Sequence, residues 1–381
     1  MTDQPEIHGH CPPEFDAVRA AFTANFADAP EGLNEVGARF SVTIEGQTVI
    51  DLWGGSADVA GERPFTQTTL VPIFSSGKAI MSLMIARLVD QGKLSYDDLV
   101  GTHWPEFATH GKEHLTVGQL MSHQAGLPGF EGEADPAIWF DPPAATARLA
   151  AQTPMWEPGT ASGYHPISIG LMAGEVFRRI DGRTMGTALR EDFCEPYGLD
   201  LWIGTPASQH DRAADMKRPS ALPNLGKLDP LKMAAFVNKG AAPGGRGSAE
   251  WRQAEIPSAN MHAAGVDLAR LLSIIANEGR LEGKAFLSAA TLEALSQERI
   301  QGPDKILPYD ISWAAGLMRN EGLNIFGPNP DALGHCGWGG SLVWADAKAK
   351  VSGAYVMNRQ SPHLIGDPRA VALVEALYKA L

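Results

Sequence analysis

Cysteine is scarce in this sequence: the 381 residues include three, at positions 11, 194 and 336. An odd and sparse set of cysteines argues against a disulfide framework and indicates reduced thiols, so we predict a cytoplasmic protein. Long apolar runs are also missing, and none reaches the length of a transmembrane helix. The polar N-terminal residues 1–6 lack the charged and then apolar pattern of a signal peptide.

Positive charge is in short supply as well. Lysine and arginine number 31 against 44 aspartates and glutamates, which gives a formal net charge of −13. This balance argues against nucleic acid or an anionic membrane as a partner. Hydrophobic residues make up 44% of the chain, which is enough for a large globular core. The length allows two or three domains, or one core with a large insertion.

A Gly-x-Ser-x-Gly motif, the sign of an α/β-hydrolase nucleophile, is absent. The chain instead has one serine with a lysine three residues later, Ser75 with Lys78, at the start of a strongly apolar helical pattern. Residues three apart share a helix face, so the hydroxyl and the amine would be neighbours. A buried lysine must be paired or lose its proton, and beside a serine it can activate a nucleophile. The alternative is a helix-capping Ser75 with a solvated Lys78.

Sequence periodicity places strands at both ends of the chain and helices in the middle. The predicted strands are 38–44, 48–55, 311–317, 341–345 and 351–357, and the main predicted helices are 14–28, 141–152, 166–195, 266–278, 288–298 and 368–380. The terminal hairpins would pair in one antiparallel sheet flanked by helices, with a mostly helical second region. We therefore predict an α+β fold, with a discontinuous sheet domain at 1–85 and 225–381 and a helical domain at 86–224.

Two stretches are predicted to lack regular structure. Residues 1–13 have the composition of a loose terminus; the alternative is that His8, His10 and Cys11 hold a metal, and we predict no metal site. Residues 205–260, rich in proline and glycine, are predicted to form long loops over a cleft. The glycine-rich run 242–247 in this stretch lacks the strand and helix setting of a phosphate loop.

Two other stretches offer the remaining groups of an acyl-transfer site. Tyr164 lies in a loop of small residues and offers a phenol as a base, although an ordinary water-satisfied tyrosine would look the same. The densest glycine run, 334–341, leads directly into a strand. Glycines at a strand edge expose N–H groups that can stabilise an oxyanion, and the alternative is a tight turn.

Together these motifs resemble the serine β-lactamase/penicillin-binding-protein superfamily, and within it the family VIII carboxylesterases, which are similar to class C β-lactamases. The matching segments are the Ser-x-x-Lys at 75–78, the leucine-, histidine- and glycine-containing segment at 115–128, the Glu-Pro-Gly at 157–159 with the motif tyrosine Tyr164, and Trp338-Gly339-Gly340 in place of Lys-Thr-Gly. The resemblance covers residues 15–380 and implies a β-lactamase/transpeptidase-like fold.

The resemblance also implies a serine hydrolase that cleaves a small-molecule, short-chain carboxylic ester through an acyl-enzyme on Ser75. Lys78 and Tyr164 would share the role of base, and which of them takes the proton stays open. The backbone N–H groups of Ser75 and Ser341 would form the oxyanion hole. No metal or organic cofactor is implied. Residues implied to contact substrate are Trp338, Gly339, Gly340 and His335, and Trp156 and Trp313 could line the same pocket or belong to the core.

The sequence departs from the family pattern at two positions that matter for β-lactams. Pro166 stands where the Tyr-x-Asn motif has its asparagine, and Trp338 stands where other members have a cation for the β-lactam carboxylate. Both changes favour neutral esters as substrates. Alternatives on the same scaffold are an acyltransferase, a D-aminopeptidase-like enzyme or a weak β-lactamase, and a non-catalytic binding protein is the alternative outside enzymes.

Overall fold

The computed structural model describes residues 5–381, and the first four residues of the predicted polar terminus lie outside the described part. Strands from both ends of the chain form the main sheet. In chain order the strands are β1 Ile7–His10, β2 Gly37–Ile44, β3 Gln47–Gly55, β4 Val71–Pro72, β5 Leu201–Trp202, β6 His262–Ala263, β7 Arg280–Leu281, β8 Lys284–Ala285, β9 Ile300–Pro303, β10 Asp310–Trp313, β11 Met318–Arg319, β12 Leu333–Cys336, β13 Leu342–Asp346 and β14 Val351–Met357.

The main sheet has nine strands in the order β1-β3-β2-β14-β13-β12-β11-β10-β9, and every neighbouring pair is antiparallel. The β2–β14 pairing, from Ala38 opposite Met357 to Ile44 opposite Val351, joins the N-terminal hairpin to the C-terminal one. The turn between β2 and β3 has positive φ at Glu45 and Gly46, as a tight hairpin turn requires. The predicted single sheet of terminal hairpins is therefore confirmed.

Helices cover the sheet and fill the middle of the chain. They are α1 Asp16–Ala27, α2 Gly77–Asp90, α3 Val100–His103, α4 Val117–Met121, α5 Pro142–Ala151, α6 Ser168–Asp181, α7 Met185–Leu189, α8 Glu195–Tyr197, α9 Pro230–Lys232, α10 Ala249–Gln253, α11 Gly265–Ala276, α12 Ala289–Ser296 and α13 Pro368–Ala380. Strand β14 shows how the two layers form: Tyr355 and Met357 join the core beneath α1 and α13, whereas Ala354 and Val356 join the core with α11.

Several predicted elements differ from the structure. Residues 7–10 form the edge strand β1, paired with β3, so the predicted loose terminus was wrong there. The predicted helix 166–195 is interrupted at Gly182, whose φ of +87° ends α6. The predicted strand 311–317 ends at Trp313 and turns at Gly316. The predicted loops of 205–260 contain the short helices α9 and α10. The domain boundaries at 85 and 225 stay a prediction.

Helix α2 lies at the junction between the sheet and the helical region. It packs against α6 and α12 and also contacts β12, and most of its residues are buried. A helix that is apolar on nearly all sides has this environment. Within residues 5–381, no helix combines the length and the apolar character that crossing a lipid bilayer demands.

Candidate active site

Ser75 lies in a single 3₁₀ turn, Phe74–Ser76, that leads directly into α2. The residue before it, Phe74, has a φ of +49°, a left-handed conformation that is costly for a bulky side chain. Its ring is held between Trp338, at a centroid distance of 5.9 Å, and Trp251, at 6.4 Å. Strain of this kind persists only where the surroundings impose it, and it occurs preferentially at functional sites.

Lys78 is the second residue of α2 and is fully buried, with 0% of its surface exposed. Its Nζ lies 2.8 Å from Ser75 Oγ, 2.7 Å from the carbonyl oxygen of Pro166 and 3.0 Å from the carbonyl oxygen of Ser258. Within the described part of the chain no carboxylate forms an ion pair with this amine. Burial without a counter-charge holds the pKa of Lys78 well below its ordinary value.

The three oxygen neighbours of Nζ can accept all three N–H groups of an ammonium, and a neutral amine, the form that burial favours, can donate to two of them. The carbonyls of Pro166 and Ser258 can only accept hydrogen bonds, so they take two N–H groups. A neutral amine then has its lone pair left for the third direction, which points at Ser75 Oγ. The arrangement can therefore receive the proton of the serine hydroxyl.

Tyr164 lies beside Lys78, with its ring centroid 4.8 Å from Lys78 Nζ. Only 6% of Tyr164 is exposed to solvent. Burial raises the pKa of Tyr164 above its ordinary value, so the phenol keeps its proton at neutral pH. A protonated phenol at this position can donate a hydrogen bond or a proton but is a weak base.

The segment that carries Tyr164 is fixed by a buried carboxylate, Asp304, which the sequence analysis missed. Asp304 Oδ1 accepts the backbone N–H of Tyr164 at 2.9 Å, and also those of Ile306 and Leu307 at 2.9 Å each. Burial raises the pKa of Asp304. Because 140 residues separate Asp304 from Tyr164, no local pattern could have predicted the contact.

Three fully buried histidines, His123, His165 and His335, lie near Tyr164, and the rings of His123 and His335 contact its ring. His123 Nδ1 accepts the backbone N–H of His165 at 3.1 Å, and His165 Nε2 accepts that of Leu127 at 3.0 Å. A ring nitrogen that accepts a backbone N–H carries no proton, and burial lowers the pKa of all three rings. The histidines are therefore neutral and add no charge beside Lys78. His335, predicted to contact substrate, has no exposed surface.

The glycine run between β12 and β13 places Ser341 against the residues on either side of Ser75 in the chain. Ser341 Oγ donates to the carbonyl oxygen of Ile73 at 2.8 Å and lies 3.0 Å from Ser76 Oγ. A Cβ on Gly337 would lie 2.3 Å from the carbonyl oxygen of Ile73, so this approach requires glycine. For the backbone N–H groups of Ser75 and Ser341, residues 5–381 provide no hydrogen-bond acceptor. Both donors are free for an oxyanion.

The aromatic residues suggested for a substrate pocket separate into two groups. Trp338 is half-buried and packs on Phe74 beside the nucleophile. Trp313 is fully buried and stacks on Tyr164 at 6.0 Å, so it belongs to the core. Trp156 is half-buried, and its Nε1–H donates to the carbonyl oxygen of Ala161 at 3.1 Å. Of the three, Trp338 is the one that packs against the nucleophile turn.

Comparison with known proteins gives the same picture along most of the chain. A family model described as Beta-lactamase matches residues 22–377. LipL of Mycobacterium tuberculosis, named an esterase/β-lactamase, is 32% identical over 375 residues, which cover 95% of this chain and 85% of LipL. A penicillin-binding protein homologue from Caulobacter crescentus has a TM-score of 0.96 and 55% identity, with 99% of this chain and 100% of that chain covered. A family VIII carboxylesterase has a TM-score of 0.92 and 39% identity, with the same coverage.

These findings confirm the resemblance and the α+β, β-lactamase/transpeptidase-like fold predicted from the sequence. They also confirm the predicted class of protein, an enzyme of the serine hydrolase type. The match extends over the sheet apart from β1, over the helical region and over the segments that carry Ser75, Tyr164 and Ser341. The chain therefore belongs to the β-lactamase family.

Proposed function

We propose that this protein is a serine carboxylesterase that hydrolyses short-chain carboxylic esters through an acyl-enzyme on Ser75. One observation carries the proposal: the buried amine of Lys78, which has no carboxylate partner among residues 5–381, lies 2.8 Å from Ser75 Oγ. A desolvated amine next to a hydroxyl is a base that can activate a nucleophile. The esterase names of LipL and of the family VIII structure support the same reaction. A cytoplasmic location belongs to the same proposal.

In the acylation step, Ser75 Oγ attacks the ester carbonyl and gives its proton to Lys78. The N–H groups of Ser75 and Ser341 would hold the negative oxygen of the tetrahedral intermediate. When the C–O bond to the alcohol breaks, Tyr164 donates its phenolic proton to the leaving oxygen. The phenol then regains a proton from the Lys78 ammonium, so the alcohol leaves neutral and both side chains return to their starting forms.

Deacylation uses the same groups in reverse. Water attacks the acyl carbon on Ser75, Lys78 receives the proton of that water, and the oxyanion forms between the same two N–H groups. Collapse of the intermediate breaks the bond to Ser75 Oγ, which takes its proton back through Tyr164 and Lys78. The carboxylic acid leaves, and the free enzyme is restored.

We expect a fluorophosphonate probe to form one covalent adduct on this protein, at Ser75. The expectation follows from the activated hydroxyl beside Lys78. Mass spectrometry of the intact protein and of its peptides gives the stoichiometry and the modified residue. Ser75→Ala should remain unlabelled, whereas Ser82→Ala, which removes a buried hydroxyl one turn past Lys78, should label like the wild type. An adduct elsewhere, or no adduct, would support a non-catalytic binding protein instead.

We expect kcat/KM for p-nitrophenyl butyrate to exceed that for a penicillin. Pro166 offers no side-chain amide to the penicillin side chain, and its carbonyl is occupied by Lys78. Trp338 stands where other members have a lysine, so the lysine contact to the β-lactam carboxylate is missing. The name of LipL favours weak β-lactamase activity as a second function, so both substrates should be measured on one enzyme preparation. Penicillin turnover equal to or faster than that of the ester would refute the ester preference.

A further inference from the structure

Arg246 occupies the glycine-rich run 242–247, which the proposed mechanism does not use. Its guanidinium lies over the ring of Trp338, with Cζ 4.2 Å from the centroid, and 5.5 Å from the centroid of Phe74. Trp338 begins the turn that ends at Ser341, and Phe74 directly precedes Ser75. The cation therefore faces the two segments that hold the nucleophile and the proposed oxyanion donors.

The backbone on both sides of Arg246 has a defined conformation. Gly245 and Gly247, on either side of it, have φ values of +63° and +85°, which a side chain would oppose. Ser248 then caps α10 by accepting the backbone N–H of Trp251 at 3.2 Å. Because Trp251 is buried against Phe74, the loop is tied to the nucleophile turn at its C-terminal end.

The charge of Arg246 has no acidic partner in the part of the chain that the structure describes. Its polar contact is a neutral oxygen, Gln360 Oε1, at 3.4 Å from Nη1. The charged group that acts on it is another cation, Arg218, and burial and this like charge together lower the pKa of Arg246 to about 10. An anion bound beside Arg246 would therefore offset a positive charge that no carboxylate among residues 5–381 balances.

We infer that Arg246 binds a carboxylate of the substrate, so that the preferred esters carry a negative charge beside the scissile bond. The inference rests on the proposed esterase function and names its substrate class. The planar guanidinium can hold a carboxylate with two parallel hydrogen bonds while its face stays stacked on Trp338. The sequence favoured neutral esters because Trp338 replaces a lysine; the structure places a cation from a different loop over that tryptophan.

Two pairs of esters test the inference, each a carboxylate and a neutral derivative of similar size. The first pair, 4-acetoxybenzoate and 4-acetoxybenzamide, varies the alcohol side. The second pair, the mono-p-nitrophenyl ester of adipic acid and its methyl ester, varies the acyl side. The readout is the ratio of kcat/KM for the charged ester to kcat/KM for the neutral ester, because an effect shared by both esters cancels. The enzymes compared are wild type, Arg246→Ala, Arg246→Lys and Arg280→Ala, an exposed arginine that contacts the carbonyl of Gly283.

In Arg246→Ala we expect the ratio to fall about 10- to 100-fold in at least one pair, the range of a lost charge-assisted hydrogen bond. Arg246→Lys should show a smaller fall in the ratio, because lysine keeps the positive charge but cannot form the two parallel hydrogen bonds of the guanidinium. Arg280→Ala should leave the ratio unchanged. A ratio that stays the same in both pairs for Arg246→Ala would overturn the inference while leaving the esterase function intact. If Ser75→Ala hydrolysed the neutral esters as fast as wild type, the proposed function would fail, and this inference with it.

Discussion

Replacing Lys78 with alanine is expected to lower kcat for p-nitrophenyl butyrate by about 10²- to 10⁴-fold, with a KM that stays comparable. The amine acts on the proton in the transition state, where a base contributes most. Ground-state binding depends instead on the aromatic surface around Trp338 and on the backbone donors, and the substitution leaves these in place. Steady-state kinetics on the purified variant give both parameters.

The pH dependence provides a second readout of the same role. Burial lowers the pKa of Lys78, and the amine can accept a proton only in its neutral form. Thus kcat/KM should rise with pH until Lys78 has lost its proton, and then stay level. The residual activity of Lys78→Ala should lack this acid limb. The midpoint of this acid limb should lie at a pH well below the ordinary lysine pKa, because burial without a counter-charge disfavours the ammonium.

Tyr164→Phe should also lose most of kcat, and the double variant should lose little more than either single one. Residues that act as one proton-transfer unit fail together, so their effects are far from additive. Near-wild-type kcat in Tyr164→Phe would remove the phenol from the mechanism. The proton would then have to pass through Lys78 alone, or through His335, whose ring lies 6.0 Å from that of Tyr164.

A buried lysine elsewhere serves as the matched control for stability effects. Lys112 is also fully buried, donates to the carbonyl oxygen of Gln152 at 2.7 Å and lies over the ring of Phe107. Lys112→Ala should lower the melting temperature and leave kcat intact. If Lys78→Ala behaved in the same way, with a lower melting temperature and an unchanged kcat, Lys78 would be a structural residue and the proposed mechanism would be wrong.

The sequence predicted the parts of the fold that follow from local periodicity. Alternation along β2, β3, β13 and β14 marked the two hairpins, and the predicted helix 368–380 agrees with α13 at both ends. Residues 205–260 were harder, because their short helices are stabilised by caps and tertiary contacts rather than by a long apolar stripe. Edge strand β1 was not predicted, because its four residues, IHGH, do not alternate between apolar and polar side chains. The strand forms through its backbone pairing with β3.

The same distinction applies to the site. Ser75 and Lys78 are three residues apart on one helical segment, so local spacing was enough to predict their contact. The other partners of Lys78 are the backbone carbonyls of Pro166 and Ser258. Every residue has a backbone carbonyl, so the sequence does not show which ones contact the amine. Asp304 and Arg246 reach the site through tertiary contacts, so their roles required the structure. The roles of the named site residues stay predictions until the variants are measured.

Replacing Arg369 with alanine is expected to lower the free energy of unfolding by about 3–5 kcal/mol. Its guanidinium is fully buried and pairs with Glu35 at 2.7 Å and with Asp367 at 2.8 Å, and both carboxylates are buried. Removal would leave two buried carboxyl groups without their cation, and burial raises the pKa of Glu35 to about 7 even with Arg369 in place. Keeping these groups charged, or protonating them, costs more than the loss of the ion pairs themselves. Arg369 Nη2 also donates to the carbonyl oxygen of Gly339 at 3.0 Å, so the turn that carries Ser341 would lose a hydrogen bond that holds it in place.

Equilibrium unfolding in urea measures this loss, with Arg179→Ala as the control. Arg179, which is partly exposed, pairs with Glu106 at 2.8 Å and with Glu175 at 2.6 Å near the protein surface, where such pairs are worth about 1 kcal/mol or less. A second change separates the unpaired charge from the lost packing: Glu35→Gln added to Arg369→Ala removes one of the two orphaned carboxylates, so it should recover part of the lost stability. If the free energy of unfolding of Arg369→Ala were within about 1 kcal/mol of the wild-type value, as we expect for Arg179→Ala, the prediction would be wrong. The buried carboxylates would then have to be protonated or hydrated in the folded protein, and the ion-pair network would contribute little to stability.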